Sequence, residues 1–62
     1  MPVITMDGPK LNREQKSELV KEFTKAASQV TNLPESAFVV IIRESDPDNV
    51  GVGGQLLSDK IK

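Results

Sequence analysis

The sequence predicts an α+β fold in which a strand, a helix and a second strand form one β-α-β unit with parallel strands, followed by a short C-terminal hairpin. Three observations predict it. Residues 2–6 are apolar and rich in β-branched side chains, apolar positions then recur every three or four residues, and residues 38–42 form an unbroken apolar run. Two strands joined through a helix are parallel, with a right-handed crossover.

The predicted helix begins after Asn12, because the Asn12 side chain can accept from a free backbone N–H and Gln15 can reach back. The apolar positions that follow mark one stripe of an amphipathic helix. They are Leu19, Val20, Phe23, Ala26, Ala27 and Val30. Pro34 restricts the residue before it, so the helix should end before that point. Residues 7–9 read Asp-Gly-Pro, which indicates a turn before the helix.

The second strand predicts an oligomer. Residues 38–42 are all apolar instead of alternating with polar residues, so both faces of this strand should be buried. One helix covers only one face of a two-stranded sheet, and the other face therefore needs another subunit. A chain of 62 residues without cysteine also has no disulfide to compensate for a small core.

The remainder is predicted to be a polar turn at residues 45–49, a hairpin or loop at residues 50–57 and a polar, partly disordered tail at residues 58–62. Glycines 51, 53 and 54 indicate a tight turn that needs positive φ. They lack the spacing of a dinucleotide or nucleotide loop. We expect a single domain over residues 1–62.

Composition excludes several functions. Eight basic and nine acidic residues give a net charge of -1, which argues against a nucleic-acid partner. No apolar run approaches the roughly 20 residues of a membrane span, so we expect no membrane partner. Without histidine and cysteine the usual triads and zinc sites are not available, and no metal or cofactor is expected. The absence of cysteine fits a cytoplasmic protein.

Pro2 is the remaining candidate for catalysis. A methionine before a small residue is commonly removed, which would expose a secondary amine on Pro2. An ordinary α-amino group has a pKa near 8, and apolar surroundings such as Val3, Ile4, Val50 and Val52 would lower it towards neutrality. A base in that range suits proton abstraction next to a carbonyl. From composition alone, a proline without a catalytic role remains the commoner interpretation.

Four segments together resemble the 4-oxalocrotonate tautomerase family. They are Met-Pro-Val-Ile at residues 1–4, Glu-Gln-Lys at residues 14–16, the run at residues 38–42 and Gly-Val-Gly-Gly at residues 51–54. The resemblance covers nearly the whole chain and is greatest to the family's short archaeal and bacterial members. It implies a β-α-β protomer, dimers that assemble as a homohexamer (a trimer of dimers), and Pro2 as the proton shuttle between 2-hydroxydienol acids and conjugated ketones.

In the family, arginines from neighbouring subunits bind the substrate carboxylates, and this chain departs from that pattern. By resemblance, the loop arginine falls at Leu11, with Lys10 as the nearest cation. Lys10 can hold a carboxylate as a point charge but not through a bidentate fork. The strand arginine falls at Val39, with Arg43 on the same face about 13 Å further along. The aromatic wall falls at Val50. The predicted substrate-binding residues are Lys10, Leu11, Val39, Arg43, Val50 and Val52.

The sequence thus predicts an isomerase acting on a small unsaturated or enol carboxylic acid, with Pro2 as base. A related possibility is hydration, dehalogenation or decarboxylation of unsaturated acids in the same pocket. The displaced arginines motivate an alternative, a non-catalytic oligomeric module that binds a small acid or a protein partner. A ribbon-helix-helix DNA binder suits the length but not the charge, because residues 3–5 offer no basic or strongly polar outward side chain.

Overall fold

The computed structural model describes residues 1–60. The elements in chain order are β1 (Val3–Gly8), α1 (Arg13–Thr31), β2 (Val39–Glu44), β3 (Gly51–Val52), β4 (Gln55–Leu56) and α2 (Leu57–Lys60). Short 3₁₀-helices, Glu35–Ala37 and Pro47–Asn49, precede β2 and β3. Strands β1 and β2 are parallel, and β3 and β4 form an antiparallel hairpin. The predicted α+β architecture is therefore confirmed.

Both long strands begin one residue later and end two residues later than predicted. Val3 lies opposite Val39 at one end of the sheet, and Gly8 lies opposite Glu44 at the other. The expected turn at residues 7–9 is wrong for the first two of them, because the strands keep pairing through Gly8. Pro9, which has no N–H to donate, ends β1.

Helix α1 has the predicted N-terminus. The Asn12 side chain accepts from the Gln15 backbone N–H at 2.7 Å, and the Gln15 side chain accepts from the Asn12 N–H at 3.1 Å. These reciprocal bonds satisfy two donors that the first helical turn leaves free. The helix ends at Thr31, and Asn32 follows in the left-handed conformation, so the expected end before Pro34 is also confirmed.

Helix α1 covers one face of the sheet. The half-buried side chains of that face are Ile4, Met6, Val40 and Ile42, and those of the helix include Leu19, Phe23 and Ala27. The predicted stripe is too broad and too long, because Val20 and Ala26 are also exposed and Val30 is 84% exposed. A helix of 19 residues is about 28 Å long and a six-residue strand about 20 Å, so the last helical turn extends past the sheet.

The opposite face of the sheet is uncovered in the protomer. Its apolar side chains remain exposed: 56% for Val3, 38% for Val39 and 40% for Ile41. Among residues 1–60 no side chain is buried. A single protomer therefore has a half-closed core, which agrees with the physical reason for expecting an oligomer.

The C-terminal segment is more ordered than predicted. Gly53 and Gly54 have φ values of 61° and 85°, which confirms the tight turn. The Leu57 N–H donates to the Val50 carbonyl at 2.7 Å, and this bond ties the start of α2 to the hairpin. Residues 58–60 belong to α2, and the rest of the tail that was expected to be partly disordered, residues 61 and 62, lies outside the described residues. No helix within residues 1–60 is both long and apolar enough to cross a membrane.

Candidate active site

Pro2 lies immediately before β1, at the edge where both long strands begin. Its carbonyl accepts from the Val39 N–H at 3.0 Å, which fixes the backbone next to the candidate amine. The Pro2 side chain is half-buried, whereas Met1 is 91% exposed. Met1 is therefore open to removal, and its loss would leave an amine at a defined position on the sheet.

The strand residues next to Pro2, Val3 on β1 and Val39 on β2, are apolar. Val39 lies opposite Val3 in the register, and both side chains belong to the uncovered face. Arg43 shares that face, as the alternation along β2 predicts. However, it lies opposite Asp7 at the other end of the strand. Within one protomer, Arg43 does not take the place of an arginine at Val39.

A cavity of about 440 Å³ lies at the opposite end of the sheet, where the strands finish. Its lining residues are Asp7, Gly8, Pro9, Ser45, Pro47, Val50 and Leu57. Val50 thus lines this cavity, and its role in substrate binding stays a prediction. Val52, by contrast, is exposed on the hairpin and does not line this cavity.

The loop that carries Lys10 and Leu11 is fastened to the end of β2 by Glu44. One Glu44 carboxylate oxygen accepts from the Leu11 N–H at 2.8 Å, and the other forms an ion pair with Lys16 Nζ at 2.9 Å. The hydrogen bond from the Leu11 N–H lowers the pKa of the Glu44 carboxyl below its ordinary value, and the hydrogen bond from Lys16 adds to this effect. Glu44 is not among the residues predicted from the sequence. The sequence feature that could have predicted this ion pair is a carboxylate at the end of an apolar strand together with a lysine in the first turns of the helix.

The candidate residues fall into two groups. Pro2 and Val39 lie where the strands begin, whereas Lys10, Leu11, Arg43 and Val50 lie where they finish. Six residue steps of about 3.3 Å separate Pro2 from Gly8, which is about 20 Å. One protomer therefore does not bring Pro2 together with the cavity, and a site that uses both requires a second copy of the chain. Among residues 1–60 no cluster of three or more acidic side chains is placed to hold a metal ion.

Comparison with known proteins identifies the class. A family model described as "Tautomerase enzyme" matches residues 2–60, so the match begins at Pro2 and covers nearly the whole chain. This protein belongs to the tautomerase family. A search of curated proteins gave no significant match.

Solved structures place the protein among the homologues of 4-oxalocrotonate tautomerase. It is similar to DmpI from Archaeoglobus fulgidus, with 40% identity, a TM-score of 0.87 and coverage of 94% of this chain and 100% of that one. It is also similar to YwhB, a homologue of 4-oxalocrotonate tautomerase, with 36% identity, a TM-score of 0.87 and coverage of 94% and 97%.

A third similar structure is a heterohexamer 4-oxalocrotonate tautomerase from Chloroflexus aurantiacus. Here the identity is 25%, the TM-score is 0.81 and the coverage is 95% of each chain. The resemblance inferred from the four sequence segments is confirmed.

Proposed function

We propose that this protein is a tautomerase that moves a proton within enol or dienol carboxylic acids such as 2-hydroxymuconate, with the Pro2 amine as general base and acid. The proposal rests on the position of Pro2 in the chain and in the fold. It follows an exposed Met1, is the first residue of the family match, and has its backbone fixed by the Val39 N–H.

The reaction needs one group that both accepts and returns a proton. The neutral Pro2 amine takes the proton of the enol hydroxyl, the oxygen's electron pair forms the carbonyl, and the double bonds shift along the chain. The Pro2 ammonium then returns the proton to carbon, which regenerates the amine. Negative charge on the oxygen and on the substrate carboxylate needs a cation or hydrogen-bond donors. Lys10, exposed on a loop that Glu44 fixes, is the candidate point charge.

The proposed site is composite. Val3 and Val39, apolar at the start of the strands but exposed in the protomer, favour the neutral form of the Pro2 amine once another copy covers them. The apolar cavity beside Val50 is about 20 Å away in the same protomer, so we propose that a neighbouring copy supplies it. A homohexamer built as a trimer of dimers is the proposed assembly; the relative from Chloroflexus aurantiacus, a heterohexamer, supports the number of six subunits.

The test is ketonisation of 2-hydroxymuconate and of phenylenolpyruvate by protein whose measured mass shows that it begins at Pro2. We expect turnover from this protein and none above the buffer rate from a preparation that retains Met1, since the amide bond to Met1 removes the amine. Correctly processed Pro2→Ala should lose at least about a hundredfold in kcat, the usual contribution of a positioned base. Pro34→Ala, at an exposed proline outside both long strands, is the matched control. Equal rates for Pro2→Ala and Pro34→Ala would refute the proposal.

A second candidate function is a non-catalytic module that binds a small acid. It is favoured by one observation: Leu11 and Val39 occupy the positions where the resemblance implies arginines, and within residues 1–60 the strand register places Val3, not a cation, opposite Val39. Calorimetry would distinguish it. A dicarboxylic acid whose affinity survives Pro2→Ala, together with no turnover of either enol, would favour the binding module over the enzyme.

A further inference from the structure

The Glu44 side chain connects the end of β2 to the chain segment between β1 and α1. One of its oxygens accepts from the Leu11 N–H at 2.8 Å, and the other forms an ion pair with Lys16 Nζ at 2.9 Å. These partners are 33 and 28 positions away in the sequence. A single carboxylate therefore fixes both the loop before α1 and the first turns of α1 to the sheet.

The loop that Glu44 fixes borders the apolar cavity. Gly8 and Pro9 line the cavity from the β1 side, and Ser45 lines it from the β2 side. The Ser45 N–H donates to the Gly8 carbonyl at 2.9 Å, which joins the two sides where the strands finish. The carboxylate bond to Leu11 is a second attachment three residues further along. The backbone of Lys10 lies between these two attachment points, next to a residue that lines the cavity.

We infer that Glu44 is a positioning residue for substrate binding: its bond to the Leu11 N–H holds the loop so that Lys10 meets the substrate carboxylate at the edge of the cavity. The inference rests on the proposed function and deepens it, because it names the group that places the candidate point charge. Lys16 neutralises the Glu44 carboxylate. The loop is thus fixed without an unpaired anion that would repel an acid.

Two further observations support this role of Glu44. The hydrogen bond from the Leu11 N–H, then that from Lys16, lowers the pKa of Glu44, so the charged form that accepts both bonds is favoured at neutral pH. The charge of Lys10 lowers the same pKa, which places the Lys10 ammonium near the carboxylate. Among residues 1–60, however, no ion pair engages Lys10. Its charge remains available to a substrate carboxylate.

Two conservative substitutions separate the reach of the Glu44 side chain from its charge. Glu44→Gln keeps the length and an acceptor oxygen for the Leu11 N–H but loses the charge that pairs with Lys16. Glu44→Asp keeps the charge but is one methylene shorter, so it does not span both partners. Glu22→Gln and Glu22→Asp, at an exposed position of α1, are the matched controls.

We expect Glu44→Asp to raise KM for 2-hydroxymuconate about threefold to tenfold and to leave kcat within about twofold, because a lost charge contact at an exposed site weakens substrate binding uniformly. Glu44→Gln should raise KM less than Glu44→Asp does. Lys10→Met should raise KM in the wild type but add little in Glu44→Asp, where the lysine is already displaced. Exchange of the Leu11 amide hydrogen should be faster in Glu44→Asp than in Glu44→Gln.

Three results would overturn the inference: equal KM values for Glu44→Asp and Glu44→Gln, a Glu44→Asp protein in which kcat falls and KM does not change, or a Lys10→Met effect of equal size in both backgrounds. A change as large in the Glu22 controls as in the Glu44 variants would also contradict it.

Failure of the proposed function is recognised separately, as a wild type that turns over neither enol. The same variants are then compared by calorimetry with adipate, a saturated dicarboxylic acid with the six carbons of 2-hydroxymuconate. Adipate affinity that falls in Glu44→Asp and in Lys10→Met, without adding in the double variant, would keep Glu44 as a positioning residue of a binding site. Adipate that does not bind, or that binds all variants equally, would refute the inference as well.

Discussion

Ile41 offers a sharp test of whether the uncovered sheet face is buried between copies. Ile41 is 40% exposed in the protomer, while Val30, in the last turn of α1, is 84% exposed. If the protomer were the whole assembly, both side chains would already be in contact with water, and a charge should be tolerated at either position. If the face is an interface, Ile41→Asp should prevent assembly whereas Val30→Asp should not.

The expected loss of assembly stability in Ile41→Asp follows from the fraction of the Ile41 side chain that the protomer leaves exposed. Full burial of an isoleucine side chain contributes about 1.5–3 kcal/mol, so covering the exposed 40% of Ile41 contributes about 1 kcal/mol per copy. Ile41→Asp removes that gain and adds the cost of an unpaired charge in an apolar interface, which is several kcal/mol. A total on the order of 3 kcal/mol per copy raises the dissociation constant of the assembly at least about a hundredfold.

Sedimentation of both variants over a dilution series measures this difference. We expect Ile41→Asp to appear as dissociated chain at concentrations where the wild type and Val30→Asp are assembled. Helical content measured by circular dichroism should fall in Ile41→Asp as well, because the protomer alone has no buried side chain within residues 1–60. An Ile41→Asp protein that assembles like Val30→Asp would refute the view that this sheet face is covered by another copy.

Two further predictions concern the protomer itself. Glu44→Gln should lower stability at neutral pH and flatten the loss of stability in acid. The pKa of Glu44 is lowered in the folded state, so its contribution is complete above about pH 4.5 and is lost as the pH falls through the lower folded value. Thermal unfolding between pH 3 and pH 7 measures this, and identical pH profiles for the two proteins would contradict it. Gly54→Ala should destabilise the hairpin by about 1–2 kcal/mol, because Gly54 has φ of 85°. Gly51→Ala, whose new Cβ would meet the Gln55 carbonyl at an ordinary 3.7 Å, is the control and should be near neutral.

The local features of the sequence predicted the local features of the structure well. Asn12 and Gln15 form the predicted capping box, and the helix ends before Pro34. The glycine pair at residues 53 and 54 adopts positive φ as predicted. Each of these features depends on residues only a few positions apart, so backbone propensity and side-chain chemistry were sufficient to predict it.

The strand ends were predicted less well, and the reason is pairing. The sequence suggested that β1 stops before Asp7, because the glycine and proline that follow favour a turn. In the structure Asp7 pairs with Arg43, and the Ser45 N–H donates to the Gly8 carbonyl at 2.9 Å. A partner strand can thus extend an element beyond what its own residues favour.

The sequence by itself determined the order of elements, the helix caps, the hairpin turn and the need to cover a second apolar face, because these follow from short-range patterns. Only the tertiary structure decided which distant residues meet. Leu11 and Glu44 are 33 positions apart and form a hydrogen bond. Pro2 and Val50 lie at opposite ends of the sheet, while Asp7 and Arg43 lie side by side. The register between two strands fixes all of these relations, and no local periodicity specifies a register between segments so far apart.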